Sequence, residues 1–497
     1  MRAIFYALVG AILWAASAAA QPFPPSQNPV LPRVVGNIPA AVTWDGTNFP
    51  IFPSIIYQAG AAPIGSAGIT PEALFDRFST SRSAPGATFY AAATGGSDSN
   101  NCLTAGAACA SIGHAVTLCN AAAVPCTIFV SGGTSNIFYK GAGFTNFGTI
   151  FPTVDIAFIA TGGARIRMCI CDAFAAPSKD ATFTNTYSYA VTNVERVVDT
   201  SRRDQFGDYI ELTNVSTAAI ANVTPNSYAL VAGTIYIQRY DGSAVTNANT
   251  TVYRSLGGAN VYLNNATQTS LYMGGQTAAD GFDVEGGADG FKTAFTTYVS
   301  ALDAVVISNT SFKYAGGTVT TTGNCTSVHS YNGIVAYFNT QADKCWSDGF
   351  NAHNDLTLTG GTAVTSILTV NVAAFDNGRG TSQSNNCLTN HEDVKAIDIG
   401  AWCWDNHGGS IRNINSTKFY GLGSFVQLDL GDIVYGGTQP STAFRVDNTS
   451  IMYLDTIQFQ MPAGTYGLYA TSGASIFVRN SPIGRQPNAG AGTFGTF

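Results

Sequence analysis

Three stretches of this chain say nearly the same thing. They are Asn324-Cys325-Thr326-Ser327-Val328-His329-Ser330-Tyr331, Gly349-Phe350-Asn351-Ala352-His353-Asn354-Asp355, and Asn386-Cys387-Leu388-Thr389-Asn390-His391-Glu392-Asp393. Three of the five histidines, His329, His353 and His391, therefore share one repeat position. Two residues after them come Tyr331, Asp355 and Asp393. On a strand, residues i and i+2 point to the same face. If the copies stack as neighbouring strands, with rows ~4.8 Å apart, their side chains form a grid of titratable groups on one surface.

A second set of near-copies supports stacking. Asp343 to Gly349, Val372 to Gly378 and Ala401 to Gly408 align to give an aromatic column (Trp346, Phe375, Trp404) beside a small-residue column (Cys345, Ala374, Cys403). Self-similar units of ~20–30 residues, none able to bury its own apolar face, are the signature of a solenoid. Short strand-like runs separated by Gly, Asn and Asp select strands over helices. Examples are Tyr209 to Leu212, Thr234 to Arg239, Val305 to Ser308, Ile334 to Phe338 and Ala396 to Ile399. Composition agrees: 11% of residues are charged, against a typical ~25%, yet 45% are hydrophobic, which excludes a disordered chain. The expected class is all-β, a right-handed single-stranded parallel β-helix with a short N-terminal helical cap. An antiparallel sandwich or propeller fits the consecutive stacking less well.

Arg2, the apolar run Ile4 to Ala16 and Ala18-Ala19-Ala20 read as a signal peptide over 1–20, with cleavage before Gln21. No later segment reaches the ~18 apolar residues of a membrane span. The expected product is secreted, to the periplasm or outside the cell, with no membrane span after cleavage. A Pro/Gly-rich leader or cap occupies 21–85, with one short helical patch from Pro71 to Phe78, and the β-helix domain occupies 86–490. The net charge of −7 offers no basic stripe for nucleic acid. In an exported chain the ten cysteines read as disulfides. Cys102 with Cys109, Cys119 with Cys126, Cys325 with Cys345 and Cys387 with Cys403 are the expected pairs. Cys169 and Cys171 share a strand face at ~6.5 Å, too far for an easy bridge, and read as buried thiols.

The run Phe89-Tyr90 … Gly95-Gly96-Ser97-Asp98-Ser99-Asn100, followed by Ala110-Ser111-Ile112-Gly113-His114-Ala115-Val116, resembles the entry to the pectin-lyase-like right-handed parallel β-helix proteins. That superfamily is rich in exported carbohydrate-active proteins, so the resemblance implies a polysaccharide as substrate or ligand. More locally, Asp348-Gly349-Phe350-Asn351-Ala352-His353-Asn354-Asp355 is similar to the Tyr-Gly-Phe-Asp-Pro-His-Asp motif of the β-helical mannuronan C5-epimerases. In that family the motif's Asp and His belong to the active site. Here Gly349, Phe350 and His353 match, and Asp355 matches if Asn354 is an insertion. Asp348 stands for Tyr, Asn351 for Asp and Ala352 for Pro.

The grid has its own chemical sense. Lyases and epimerases of uronic acids need a base of near-neutral pKa, a proton donor and positive charge beside the substrate carboxylate. His353 or His391 is the candidate base, and Tyr331 or the other histidine the donor. Lys395, Arg379 or a bound Ca2+ would supply the charge. Lys395 lies four residues past His391 and so on the same face by the period-2 rule. Asp355 and Asp393 would orient the imidazoles or ligate Ca2+. On adjacent rungs they would also suit the ~5–9.5 Å separation of a hydrolase pair. His329, Asp348, Asn351 and Arg379 complete the candidate substrate surface. Asp348, Asp376 and Asp405 form a second, looser acid column. Lyase, epimerase and hydrolase stay open, and the rival reading is a non-catalytic, adhesin-like β-helix that binds glycan or a protein partner. A phage-type tailspike is disfavoured by the signal peptide.

Overall fold

The computed structural model describes residues 70–496, apart from internal stretches that include 140–149, 379–384, 428–441 and 482–487. The signal segment and most of the leader lie outside the described residues. From Leu271 onward the chain repeats a three-strand coil. Asp303–Ser308 lies in a first sheet, Thr310–Lys313 in a second and Thr326–His329 in a third. The next coil lays Gly333–Phe338, Gln341–Asp343 and Phe350–His353 beside them in parallel, with Val305 opposite Val335, Phe312 opposite Ala342 and Val328 opposite Ala352. Among the described residues the first sheet has twelve strands and the third has nine. This is the β-solenoid expected from the repeats.

Local chemistry explains the coil. One residue at positive φ turns the chain from the first sheet to the second: Asn309 (51°), Asn339 (47°), Asn371 (52°), then Gly400 (70°) and Gly423 (65°). Asn and Gly tolerate that left-handed conformation best. Inward side chains such as Val305, Phe312, Val328, Val335, Ile367 and Phe350 fill one continuous core. The helix Ile112–Ala122 covers its N-terminal end. Ser111 caps that helix by accepting from the His114 amide, and Ile112, Ala115, Val116 and Cys119 are buried in the core. The helical patch of the leader is a single turn, Pro71–Phe75. Its Leu74 and Phe75 bury completely on the outer side of the first sheet, against residues such as Val306, Ile334 and Leu368. Ile334, Ala336 and Phe338 belong to that outer cluster and Val335 and Tyr337 to the core, which is why all six residues of Gly333–Phe338 are buried. No helix among the described residues is long and apolar enough to cross a membrane.

Three expectations need correction. Cys169 and Cys171 are bridged, not free thiols. The local backbone brings their Cα atoms to 5.3 Å, shorter than an ideal strand and within bridging range. The other four disulfides pair as expected, with Cα separations of 5.1, 5.8, 5.4 and 5.5 Å. Second, Phe375 and Trp404 are neighbours, but the residue on the preceding rung is Asp343, not Trp346. Lys344, Asp376 and Asp405 all take the left-handed turn that ends their strands. Cys345 then bends inward to Cys325 while its amide donates to Asn377 Oδ1, so the small-residue column is Ala342, Ala374 and Cys403. Third, Tyr209–Glu211 and Thr234–Gln238 are not rungs of the solenoid. Between Asp172 and Val261, where the third sheet begins, the chain makes an inserted lobe with antiparallel pairing: Thr234–Gln238 lies between Ser227–Val231 and Tyr187–Ala190. Ala232 and Gly233, both at positive φ, make the two-residue hairpin turn that antiparallel strands favour. The lobe has its own core of residues such as Val197, Ile235, Ile237 and Val252.

Cys387 lies just before the strand Leu388–His391 of the third sheet and Cys403 on the strand Trp402–Trp404 of the second, so their bridge ties two sheets together. Replacing Cys387 and Cys403 by Ala opens a loop with a sequence separation of 16. The expected loss is about 3 kcal/mol, read as a lower midpoint in reversible urea unfolding.

Candidate functional site

The third sheet carries the histidines. His329 pairs in register with His353, and Ala352 with Asn390, so the next pair along is His353 beside His391. Core-facing Val328, Ala352, Phe350 and Leu388 alternate with them and fix which face the imidazoles take. The rings stack: 5.1 Å between centroids and 7° between planes for His329 and His353, 4.1 Å and 13° for His353 and His391. Two carboxylates interleave on the Nδ1 side. Asp355 Oδ1 lies 2.9 Å from His329 Nδ1, and its Oδ2 lies 3.9 Å from His353 Nδ1. Glu392 Oε2 lies 3.1 Å from His353 Nδ1, and its Oε1 lies 3.7 Å from His391 Nδ1. On the other edge, His329 Nε2 meets Ser327 Oγ at 3.0 Å.

Electrostatics follows from the crowding. Burial and the neighbouring His329 pull the His353 pKa below the ordinary imidazole value, although Asp355 and Glu392 oppose the shift. Burial, then the His353 charge and the Arg412 guanidinium, take His391 down to about 3. Burial would raise Asp355, but the hydrogen bond from His329 and the charges of His329 and His353 outweigh it and hold the carboxyl below its usual range. His391 is therefore neutral at pH 7, and among the described residues its buried Nε2 has no hydrogen-bond partner. The stability consequence has a definite sign. The folded pKa is below the unfolded one of ~6.5, so the unfolded state takes the proton first. The His391 contribution is complete above ~6.5 and is lost as pH falls toward 3. His391→Leu is expected to flatten the stability–pH curve across that window, measured by urea unfolding at stepped pH.

Several sequence candidates sit elsewhere. Tyr331 does not share the histidine face: Ser330 takes φ 46°, and the ring turns into the core, fully buried, with its hydroxyl donating to Thr269 O. Burial raises its pKa well above the usual value, so it is no surface proton donor. Asp393 also leaves the grid. Glu392 and Asp393 are both at positive φ, which ends the strand and swings Asp393 into solvent with 71% side-chain exposure. Asp393 therefore does not stand against the imidazoles, and Glu392 takes that place beside His353. The same turn carries Lys395 onto the first sheet opposite Ser366, 3.9 Å from Asp393, not onto the histidine face.

Asp348 and Asn351 are buried and belong to an inter-coil ladder. Asp289 Oδ1 accepts from the Asn324 amide, Asn324 Oδ1 from the Asp348 amide, and Asp348 Oδ1 from the Asn386 amide. Asn351 Nδ2 donates to Asp348 Oδ2 at 2.6 Å. These side chains satisfy buried backbone donors and do not face a substrate. Arg379 lies outside the described residues. Two residues went unnoticed. Glu392 was hidden because strict i, i+2 counting picks Asp393. Arg412 lies opposite Thr389, one rung past His391, with its Nε 3.1 Å from Asp447 Oδ2. Aligning a fourth copy, Ile411-Arg412-Asn413-Ile414, would have found it. Among the described residues, the donors gathered here are His353, His391 and Glu392, with ligand atoms within 4.8 Å of one another. Two nitrogens and one carboxylate do not suit Ca2+, which takes six to eight oxygens.

No protein-family model matches the chain, and no curated protein matches it. Solved structures with some likeness include XylC in complex with xylose, at 9% identity and a TM-score of 0.33, covering 82% of this chain and 86% of that one. The Gp54 tailspike of Acinetobacter baumannii bacteriophage AP22, in complex with a capsular saccharide, gives 8% and 0.25 over 74% and 64%. The gp49 tailspike of Pseudomonas phage LKA1 gives 12% and 0.20 over 74% and 66%.

Proposed function

We propose that this is an exported enzyme acting on a uronate-containing polysaccharide, with His353 as the base that removes the proton α to a sugar carboxylate. One observation carries the reading: Glu392 faces Nδ1 of His353 at 3.1 Å. A carboxylate that accepts from Nδ1–H leaves the Nε2 lone pair for the substrate, the tautomer logic of a carboxylate-oriented imidazole. The depressed pKa of His353 keeps it unprotonated at neutral pH, as a base must be. Once the proton is on Nε2, the electron pair delocalises into the sugar carboxylate. It then either expels the β-oxygen, giving elimination, or is reprotonated from the opposite face, giving epimerisation. His329, whose Nδ1 is held by Asp355, is the neighbouring imidazole able to protonate the departing β-oxygen; because it stacks beside His353 on the same wall, epimerisation would take its proton from solvent on the other face. Arg412, one rung beyond His391, contributes positive charge. Hydrolysis is less well supported, because both oxygens of Asp355 face imidazoles and Asp393 points into solvent.

The test is a polysaccharide panel read three ways: ultraviolet absorbance for unsaturated uronate, deuterium uptake from solvent for epimerisation, and reducing ends for hydrolysis. Absorbance or deuterium uptake supports the reading. Reducing ends alone, without unsaturation, replace it with a hydrolase. Binding without turnover leaves the adhesin-like alternative.

A further inference from the structure

The imidazole stack offers a second chemistry along its Nδ1 edge. His353, His391 and Glu392 bring two ring nitrogens and a carboxylate within 4.8 Å of one another. Glu392 spans the pair: Oε2 is 3.1 Å from His353 Nδ1, and Oε1 is 3.7 Å from His391 Nδ1. Asn415 Nδ2 donates to that same Oε1 at 3.2 Å and steadies it. Asp355 adds a second carboxylate, with Oδ2 3.9 Å from His353 Nδ1. Arg412, one rung beyond His391, is engaged with Asp447. The side chains of His353, His391 and Glu392 are 21%, 14% and 33% exposed, so a small ion can reach them from solvent.

His391 is the anomaly. Among the described residues neither of its nitrogens has a hydrogen-bond partner: Nε2 is buried alone, and 3.7 Å from Nδ1 to Glu392 is too long for a hydrogen bond. A largely buried polar ring left without a partner is uncommon, and an ion is one of the things that supplies one. A cation between the two Nδ1 atoms and Glu392 would do so. The donor set selects the kind of cation. Imidazole nitrogen suits Zn2+, Cu2+ and Ni2+, whereas Ca2+ and Mg2+ prefer oxygen. Two histidines and a glutamate are a set that zinc takes with its fourth position left to water. The donors are close enough that modest turns of the two rings bring them to the ~2.0–2.1 Å of zinc–imidazole bonds.

We propose that His353, His391 and Glu392 form a site for a divalent transition-metal ion, with Zn2+ as its probe, and that the occupied site is catalytically silent. Binding stands on the geometry alone, whereas silencing rests on the reading of His353 as the base. A neutral imidazole carries one N–H. When the ion takes the Nδ1 lone pair, that proton passes through solvent from Nδ1 to Nε2, and the ring stays neutral. Nε2 then already holds a hydrogen and cannot accept one from the sugar. Glu392 is committed to the ion at the same time and no longer fixes the productive tautomer. The metal and the substrate proton thus compete for one ring through its opposite nitrogens.

The test is calorimetry of metal-free wild type, His391→Leu and Glu392→Gln with Zn2+, and with Ca2+ and Mg2+ as oxygen-preferring comparisons. Wild type is expected to bind about one Zn2+ per chain with a micromolar Kd, and its melting temperature should rise with zinc concentration. Each variant should bind Zn2+ more than about tenfold more weakly, with its far-ultraviolet circular dichroism unchanged. Should His391→Leu fail to fold, Glu392→Gln carries the comparison, since it keeps both rings. Ca2+ in about hundredfold excess should leave the zinc in place. No zinc binding below about 1 mM, undiminished binding to the folded variants, or displacement by Ca2+ would each overturn the site. On any polysaccharide the enzyme turns over, zinc should inhibit with a constant equal to the calorimetric Kd. Full turnover at saturating zinc overturns the silencing and leaves the site. A panel with no turnover removes the His353 chemistry and the silencing with it, and calorimetry alone then decides the site.

Discussion

His353→Ala is expected to lower turnover about 100- to 10,000-fold, the usual worth of a positioned general base, with little change in melting temperature. The side chain is on the outer face of the third sheet, and its ring contacts are His329 and His391, not the core. Removing it takes away no core packing. Glu392→Gln distinguishes a base from a bystander. The amide cannot hold Nδ1–H as an ion, so the imidazole loses its fixed tautomer and the acidic limb of the pH–rate profile moves. In wild type that limb lies below the ordinary histidine value, because burial and His329 depress the pKa. Activity therefore rises with pH through that point as His353 loses its proton. A purely structural imidazole ladder behaves oppositely: His353→Ala would unfold more readily and would alter no rate.

Lys313→Met is expected to be the most destabilising single change outside the core, at about 3–5 kcal/mol, measured by urea unfolding with tryptophan fluorescence. Lys313 bridges Asp208 of the inserted lobe and Asp343 of the next coil, the latter at 3.3 Å. Both acids are buried. Burial raises both carboxyl pKa values, against the pull of Lys313. One oxygen of each, Asp208 Oδ2 and Asp343 Oδ1, already has no hydrogen-bond partner. Without the ammonium, two carboxylates stay buried with less compensating charge. The deficit should shrink in acid, where they protonate, and Asp208→Asn added to Lys313→Met should restore part of the loss. An equal loss at pH 4 and pH 8 would mean that packing of the lysine stem, not charge, is responsible.

Much of this architecture was legible in the chain, and the failures share a cause. The solenoid, the histidine register and four disulfides follow from repeats whose spacing is local. Period-2 counting holds only while a strand lasts. It failed at Ser330 and at Glu392–Asp393, where a left-handed residue turns the chain. Tyr331 thus went to the core, Asp393 to solvent and Lys395 to another sheet, while Glu392 took the place beside His353. The same αL turns misled the aromatic alignment at Lys344. The inserted lobe was missed because its strands are as short as those of the solenoid, and several antiparallel partners lie far along the chain, as Tyr187–Ala190 does from Thr234–Gln238. Cys169 and Cys171 were misjudged from ideal strand geometry.

The ladder from Asp289 to Asn386 has a direction: every one of its side-chain acceptors sits one coil earlier than the amide it serves. A second ladder runs the other way, since the amides of Cys345 and Asn377 donate to Asn377 Oδ1 and Asn406 Oδ1, each one coil later. A stack cut at either end therefore strands polar groups that had been served by the missing coil. Neither end can be trimmed without loss, and a shortened protein would need a polar cap on whichever coil it exposes.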